Sequence, residues 1–196
     1  MNISNPIIRG FNPDPSICRV GEDTYLATSS FEYAPGIPLY HSRDLREWQH
    51  VGYALPEPGH LSLGGLSAAQ GVWAPTLRHI RGRFYVTYAV ATGLEWPDKF
   101  RNYYVSAPAI EGPWSDPVYV TNGGIDPDLF EDEDSTVYFS YKCAETAPID
   151  LETGKLLAPF RQLWQGTRDN YAEATHLYRR LSLFILTDPY PRTPPK

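Results

Sequence analysis

Trp73-Ala74-Pro75-Thr76-Leu77, followed by the turn pair Arg81-Gly82 and the aromatic run Arg83-Phe84-Tyr85-Val86, is the stretch that decides the fold. It reads as a strand, a tight turn and a returning strand, because Gly accepts the backbone angles a two-residue hairpin turn requires. Three other segments open alike: Asp14-Pro15-Ser16-Ile17, Asp126-Pro127-Asp128-Leu129 and Glu173-Ala174-Thr175-His176-Leu177. Each leads into an aromatic or apolar strand: Thr24-Tyr25-Leu26-Ala27, Val137-Tyr138-Phe139-Ser140 and Leu183-Phe184-Ile185-Leu186. Gly21-Glu22-Asp23 and Glu133-Asp134-Ser135 supply turn chemistry at the matching points. Openings spaced 59, 53 and 47 residues apart give a period near 50. Short strands repeated at that period predict an all-β fold of the β-propeller type. Outer strands follow in two units, at Leu39-Tyr40-His41-Ser42 and Tyr103-Tyr104-Val105-Ser106, each with a Trp-anchored return at Trp48 and Trp114. A β-sandwich is the alternative, but it leaves the repeated placement of one chemical type at the head of each unit to chance.

Composition agrees. The 196 residues include 19 Pro and 15 Gly, which break the chain too often for a helical bundle. Fourteen Tyr, 8 Phe and 5 Trp leave aromatic surface available for a ligand. The net charge of −6 and the absence of a basic stripe argue against a nucleic-acid partner. No window is apolar enough to span a membrane, and MNISNPIIRG is not recognised as a secretory signal, which sets the expectation of a cytoplasmic protein. Cys18 and Cys143 read as small buried hydrophobes, and the acidic run Glu131-Asp132-Glu133-Asp134 as a solvated turn.

In a propeller the first strand of each blade lines a central channel, so Asp14, Trp73, Asp126 and Glu173 are expected at equivalent, converging positions. Each has an ordinary alternative: Asp14 and Asp126 as turn residues before proline, Glu173 as a solvated strand residue, Trp73 as core. Their shared place in the repeat favours function, since carboxylates rarely sit inside a fold without one. Two carboxylates flanking a glycosidic bond divide acid and base work, and a third raises the acid's pKa by like-charge repulsion. Aromatic walls suit the C–H face of a sugar. A divalent-metal cluster is the other use of such carboxylates.

These residues carry a family resemblance. Asn5-Pro6-Ile7, Phe11-Asn12-Pro13-Asp14-Pro15-Ser16, Thr28-Ser29-Ser30-Phe31-Glu32, His41-Ser42-Arg43-Asp44-Leu45, Gly71-Val72-Trp73-Ala74-Pro75, Ile110-Glu111-Gly112-Pro113-Trp114-Ser115-Asp116-Pro117 and Gly124-Ile125-Asp126-Pro127 stand in order in the chain. Together they resemble glycoside hydrolase family 43, the five-bladed-propeller β-xylosidases and α-L-arabinofuranosidases, from about residue 3 to about 180. The resemblance implies Asp14 as the general base, Glu173 as the general acid and Asp126 as the third carboxylate. It implies Phe31 and Trp73 as walls of the subsite for the non-reducing-end sugar. It also implies inversion, xylo- or arabino-oligosaccharide substrates and no cofactor, with a channel calcium ion unsupported by these residues. Inversion places the Asp14 and Glu173 carboxyls roughly 6.5–9.5 Å apart. Thr175 departs from the Pro of the family's frequent Glu-Gly-Pro or Glu-Ala-Pro, two residues after the acid.

At about 50 residues per blade, the chain is expected to hold about three blades and the start of a fourth. The expected division is a partial glycosidase propeller over 1–180 and an aberrant proline-rich tail over 181–196. An open ring exposes sheet edges, so the chain alone is expected to be poorly stable and impaired in activity. The alternative function is a non-catalytic carbohydrate-binding or remnant propeller. Xylose against arabinose specificity and oligomeric state are not legible.

Overall fold

The computed structural model describes residues 4–60, 63–164, 174–180 and 183–187. Strands dominate, and among the described residues the only helical element is a 3₁₀ turn at Pro58–His60. Three four-stranded antiparallel sheets follow one another along the chain. The first is β1 (Ser16–Val20), β2 (Asp23–Ala27), β3 (Gly36–Ser42) and β4 (Gln49–Leu55). The second is β5 (Gly71–Ile80), β6 (Arg83–Ala91), β7 (Phe100–Ala107) and β8 (Val118–Asn122). The third is β9 (Asp128–Glu131), β10 (Val137–Tyr141), β11 (Glu145–Pro148) and β12 (Arg161–Gln162). A fourth unit begins with the pair β13 (His176–Arg180) and β14 (Leu183–Thr187). Within each sheet the strands pair in chain order, and the first strands neighbour one another, β1 beside β5, β5 beside β9, β9 beside β13.

The hairpin turns form where expected. Arg81 and Gly82 both take left-handed φ, +51° and +74°, the type I′ geometry that matches strand twist. Gly21, at φ +62°, does the same work between β1 and β2. Sheets then pack face to face through alternating residues. Phe84, Val86 and Tyr88 of β6 join Ala27, Leu39 and Leu55 of the first sheet in one buried cluster. Tyr85, on the opposite face, joins Leu129, Val137 and Phe139 of the third sheet in a second. The middle sheet is thus covered on both faces.

Four expectations need correction. The acidic run does form the β9–β10 turn, with Asp134 Oδ1 accepting the Thr136 amide at 2.8 Å. It is not simply solvated: Arg81 Nε donates to Glu131 at 2.6 Å, and Arg179 pairs with Asp132 and Glu133. Cys18 and Cys143 are free and only half buried; burial pushes the Cys18 thiol up from its ordinary pKa. The sheet continues past the boundary expected at 180, since Leu183–Thr187 pairs with β13. Residues 188–196 of the expected tail lie outside the described residues.

The fourth correction concerns the repeat. In the four hairpins Ser16 faces Ala27, Thr76 faces Thr87, Asp128 faces Ser140 and His176 faces Thr187. Counted from these pairs, Asp14, Ala74, Asp126 and Ala174 are equivalent. Trp73 and Glu173 stand one residue further out, so the expected equivalence was offset by one in two units. In the second unit a bulge between Trp73 and Thr76 takes up the extra residue, so that Trp73 faces Ala89, two residues beyond Thr87. Asp14, Asp126 and Ala174 share a left-handed backbone, with φ of +51°, +58° and +47°.

Candidate active site

Asp14 sits at the corner before β1, exposed to solvent. Its Oδ2 accepts a 2.6 Å hydrogen bond from Ser29 Oγ, and the Ser29 amide donates to Pro13 O at 3.0 Å. Two residues on, Phe31 forms a two-way backbone bridge with Val72, Phe31 N to Val72 O at 2.8 Å and Val72 N to Phe31 O at 2.9 Å. That bridge carries the first unit's loop onto the second unit. Gly71 permits it: a Cβ there would lie 2.2 Å from Phe31 O, at a φ of +93°.

The bridge sets the aromatic wall. Phe31 and Trp73 rings lie 6.0 Å apart at 51°, and the Trp73 indole is fixed by Nε1 donating to Ala69 O at 2.9 Å. The wall extends beyond the two expected residues. Phe11 lies 5.8 Å from Phe31 and 5.8 Å from Tyr33, and Phe100 lies 5.1 Å from Trp73. Five rings therefore form one chain of contacts, Tyr33, Phe11, Phe31, Trp73 and Phe100.

Asp126 is 94% buried, at 6% exposure, on the equivalent corner before β9. Its Oδ2 accepts the Ala174 amide at 2.7 Å, the residue directly after Glu173. The same short segment is fixed twice more. Thr175 Oγ1 donates to Lys142 O at 3.1 Å and accepts from the Ala144 amide at 3.1 Å, so its hydroxyl bolts the segment to the β10–β11 turn. This gives Thr175, where the chain departs from the family pattern, a structural role. Deeper in, Arg78 grips Asp128 through two bonds of 2.7 and 2.6 Å, while Asp128 Oδ2 accepts the Leu177 amide and Arg78 donates to Leu177 O. His176 Nδ1 stands 3.5 Å from the same carboxylate. Burial works to raise the Asp128 pKa, but the Arg78 charge and the Arg78 and His176 contacts win and hold it below the usual carboxylate value. In the first unit Ser16 Oγ accepts from the Leu77 amide at 3.0 Å, the neutral counterpart of the Asp128–Leu177 bond.

The structure thus brings Phe31, Trp73 and, through Ser29, Asp14 into one neighbourhood, and ties Asp126 to the chain beside Glu173. Glu173 itself lies outside the described residues, as does its distance to Asp14. Sequence reasoning did not assign roles to Ser29, Phe11, Tyr33, Phe100, Arg78 or Asp128. Ser29 was visible inside the quoted Thr28-Ser29-Ser30-Phe31-Glu32 motif; Arg78 and Asp128 are fifty residues apart and carry no local signal. Among the described residues no three His, Cys, Asp or Glu side chains gather as a metal site, and no helix is long and apolar enough to cross a membrane.

With this geometry in place, comparison with known proteins decides the family. The model of Glycosyl hydrolases family 43 matches residues 3–187. The chain belongs to glycosyl hydrolase family 43. Among its relatives in this family, xylosidase/arabinosidase 43B of Humicola insolens is 40% identical over 197 residues, covering 94% of this chain and 37% of that protein. The non-reducing end alpha-L-arabinofuranosidase of Bacteroides ovatus is 43% identical over 180 residues, covering 89% of this chain and 33% of that protein. The crystal structure of xylan beta-1,4-xylosidase from Bacillus halodurans superposes with a TM-score of 0.85 at 37% identity, over 91% of this chain and 37% of that one. The family 43 chain described here therefore spans little more than a third of the length of these relatives.

Proposed function

We propose that this chain carries the base and the supporting carboxylate of a glycosidase that hydrolyses xylosidic or arabinofuranosidic bonds of hemicellulose oligosaccharides with inversion. Its fold is then part of a five-bladed propeller, with three blades and the first hairpin of a fourth. Asp14 takes a proton from water, whose oxygen attacks the anomeric carbon. The glycosidic C–O bond breaks, its electrons go to the leaving oxygen, and Glu173 supplies that oxygen's proton. Asp126 orients the acid and, by its negative charge, keeps it protonated near neutral pH. Phe31 and Trp73 hold the sugar's apolar face.

The observation that carries this reading is the repeated corner: Asp14 and Asp126 occupy equivalent left-handed positions before the first strands of their units, and Asp126 grasps the residue that follows Glu173. The test is hydrolysis of p-nitrophenyl β-D-xylopyranoside and α-L-arabinofuranoside, with product anomers followed by proton NMR. The expected results are α-xylose as the first sugar released from the xyloside, and a loss of about 10²–10⁴ in kcat for Asp14→Asn. Initial release of β-xylose, or a kcat left unchanged by Asp14→Asn, would refute it.

A further inference from the structure

Ser29 is 1% exposed, yet its hydroxyl serves a carboxylate at the solvent-exposed corner of the fold. The 2.6 Å Oγ–Oδ2 bond has the length of a charge-assisted O–H···O⁻ contact. The same residue holds the peptide before Asp14 through its amide and Pro13 O. One buried residue therefore grips both the backbone and the side chain of Asp14. Its own platform is stiff. The Thr28 amide bonds Pro38 O at 3.3 Å, Ser30 Oγ accepts the Ile37 amide at 3.2 Å, and Phe31 is bridged to Val72. The equivalent Asp126 accepts a main-chain amide, Ala174 N, whereas Asp14 accepts the Ser29 hydroxyl. A base must stand within hydrogen-bond reach of its water, and a displacement of about 1 Å can cost about a hundredfold in rate.

We infer that Ser29 is a positioning residue for the base: it pins Asp14 Oδ2 so that Oδ1 faces the attacking water, in register with the Phe31 wall two residues on. The inference rests on the reading of Asp14 as base. Ser29→Ala keeps the amide bond to Pro13 and removes only the hydroxyl; Ser29→Thr keeps the hydroxyl. Asp14→Gly serves as the reference, with azide as a nucleophile that needs no deprotonation. Azide attacks the anomeric carbon as the bond to the leaving oxygen breaks, and the product is the inverted glycosyl azide.

On p-nitrophenyl β-D-xylopyranoside, Ser29→Ala should lose about ten- to a hundredfold in kcat with KM unchanged within about twofold. Azide should restore turnover in Asp14→Gly, where the carboxylate's place is empty, and not in Ser29→Ala, where the carboxylate remains; Ser29→Thr should retain most of the wild-type kcat. A merely structural role would raise KM along with the loss in kcat. Wild-type kcat in Ser29→Ala, a KM that rises with the loss, or equal losses in the Ala and Thr variants overturns the inference. If Asp14→Gly itself keeps its activity or gains nothing from azide, the assignment of the base fails instead, and the two failures are told apart by that reference variant.

Discussion

Replacing Arg78 by Met strands the Asp128 carboxylate, which is 1% exposed and otherwise bound bidentately by a guanidinium only 17% exposed. Removing one partner of a buried ion pair leaves an uncompensated charge and costs about 3–5 kcal/mol. At about 2–4 °C per kcal/mol for a chain of this size, the melting temperature should fall by roughly 6–20 °C at pH 7. The loss should depend on pH in a defined direction. Asp128 has a depressed pKa in the folded protein, so its contribution is present above the unfolded value near 3.9 and fades as pH falls through the folded one. In Arg78→Met the burial effect is opposed only by the weaker His176 and Leu177 contacts, the carboxyl's pKa rises, and protonation relieves the penalty. The gap between wild type and variant should therefore be widest near neutrality and narrow towards pH 4 and below. A second substitution should recover part of the loss. Arg78→Met with Asp128→Ser removes the stranded charge and puts a hydroxyl opposite the Leu177 amide, as Ser16 does opposite Leu77. The assay is thermal unfolding followed by tryptophan fluorescence from pH 3.5 to 8. A single variant within about 1 kcal/mol of wild type, a gap that widens on acidification, or a double variant no better than Arg78→Met would refute the reasoning.

Three further outcomes follow from the geometry. Gly71→Ala should cost at least about 2 kcal/mol and speed hydrogen exchange at the Phe31 amide, because the new Cβ meets Phe31 O and C in a left-handed backbone; unchanged protection at Phe31 would contradict it. Arg81→Ala, by contrast, should change stability by no more than about 1 kcal/mol, since its partner Glu131 and its own side chain are solvent-screened at 28% and 53% exposure. Trp73→Ala should lower kcat/KM on aryl xylosides about tenfold, since stacking is worth about 0.5–1.5 kcal/mol beyond area burial; an unaltered value would remove the indole from the sugar site.

The hairpins were legible because their signals are local: Gly21 and Arg81-Gly82 mark the turns, and Tyr25, Phe84 and Tyr138 mark the returning strands. All four returning strands lie where the repeat put them, at β2, β6, β10 and β14. The alignment of the openings was less legible. Trp73 stands three residues before its hairpin pair where Asp14 and Asp126 stand two, and a bulge before Thr76, a backbone irregularity with no fixed residue signature, takes up the extra residue. The pairing of the acidic run with Arg81 and Arg179 was hidden for another reason. Its partners come from neighbouring sheets, and a charge run shows its own charge but not what faces it. Ser29 was visible but mute, since a serine in a motif does not disclose whether its hydroxyl serves the backbone or a carboxylate.

The left-handed corners at Asp14, Asp126 and Ala174 act as a filter on mutation before any chemistry does. A non-glycine residue in that conformation costs about 1–2 kcal/mol unless it is Asn or Asp, whose short polar side chains are tolerated there. An alanine exchange at Asp14 or Asp126 thus adds backbone strain to the loss of a carboxylate, whereas asparagine or glycine isolates the carboxylate. The same filter shapes drift: a unit that lost its chemistry would still favour Asp, Asn or Gly at this corner for conformational reasons alone. An aspartate found there is an opportunity for catalysis, and what turns it into a participant is the donor that comes to meet it.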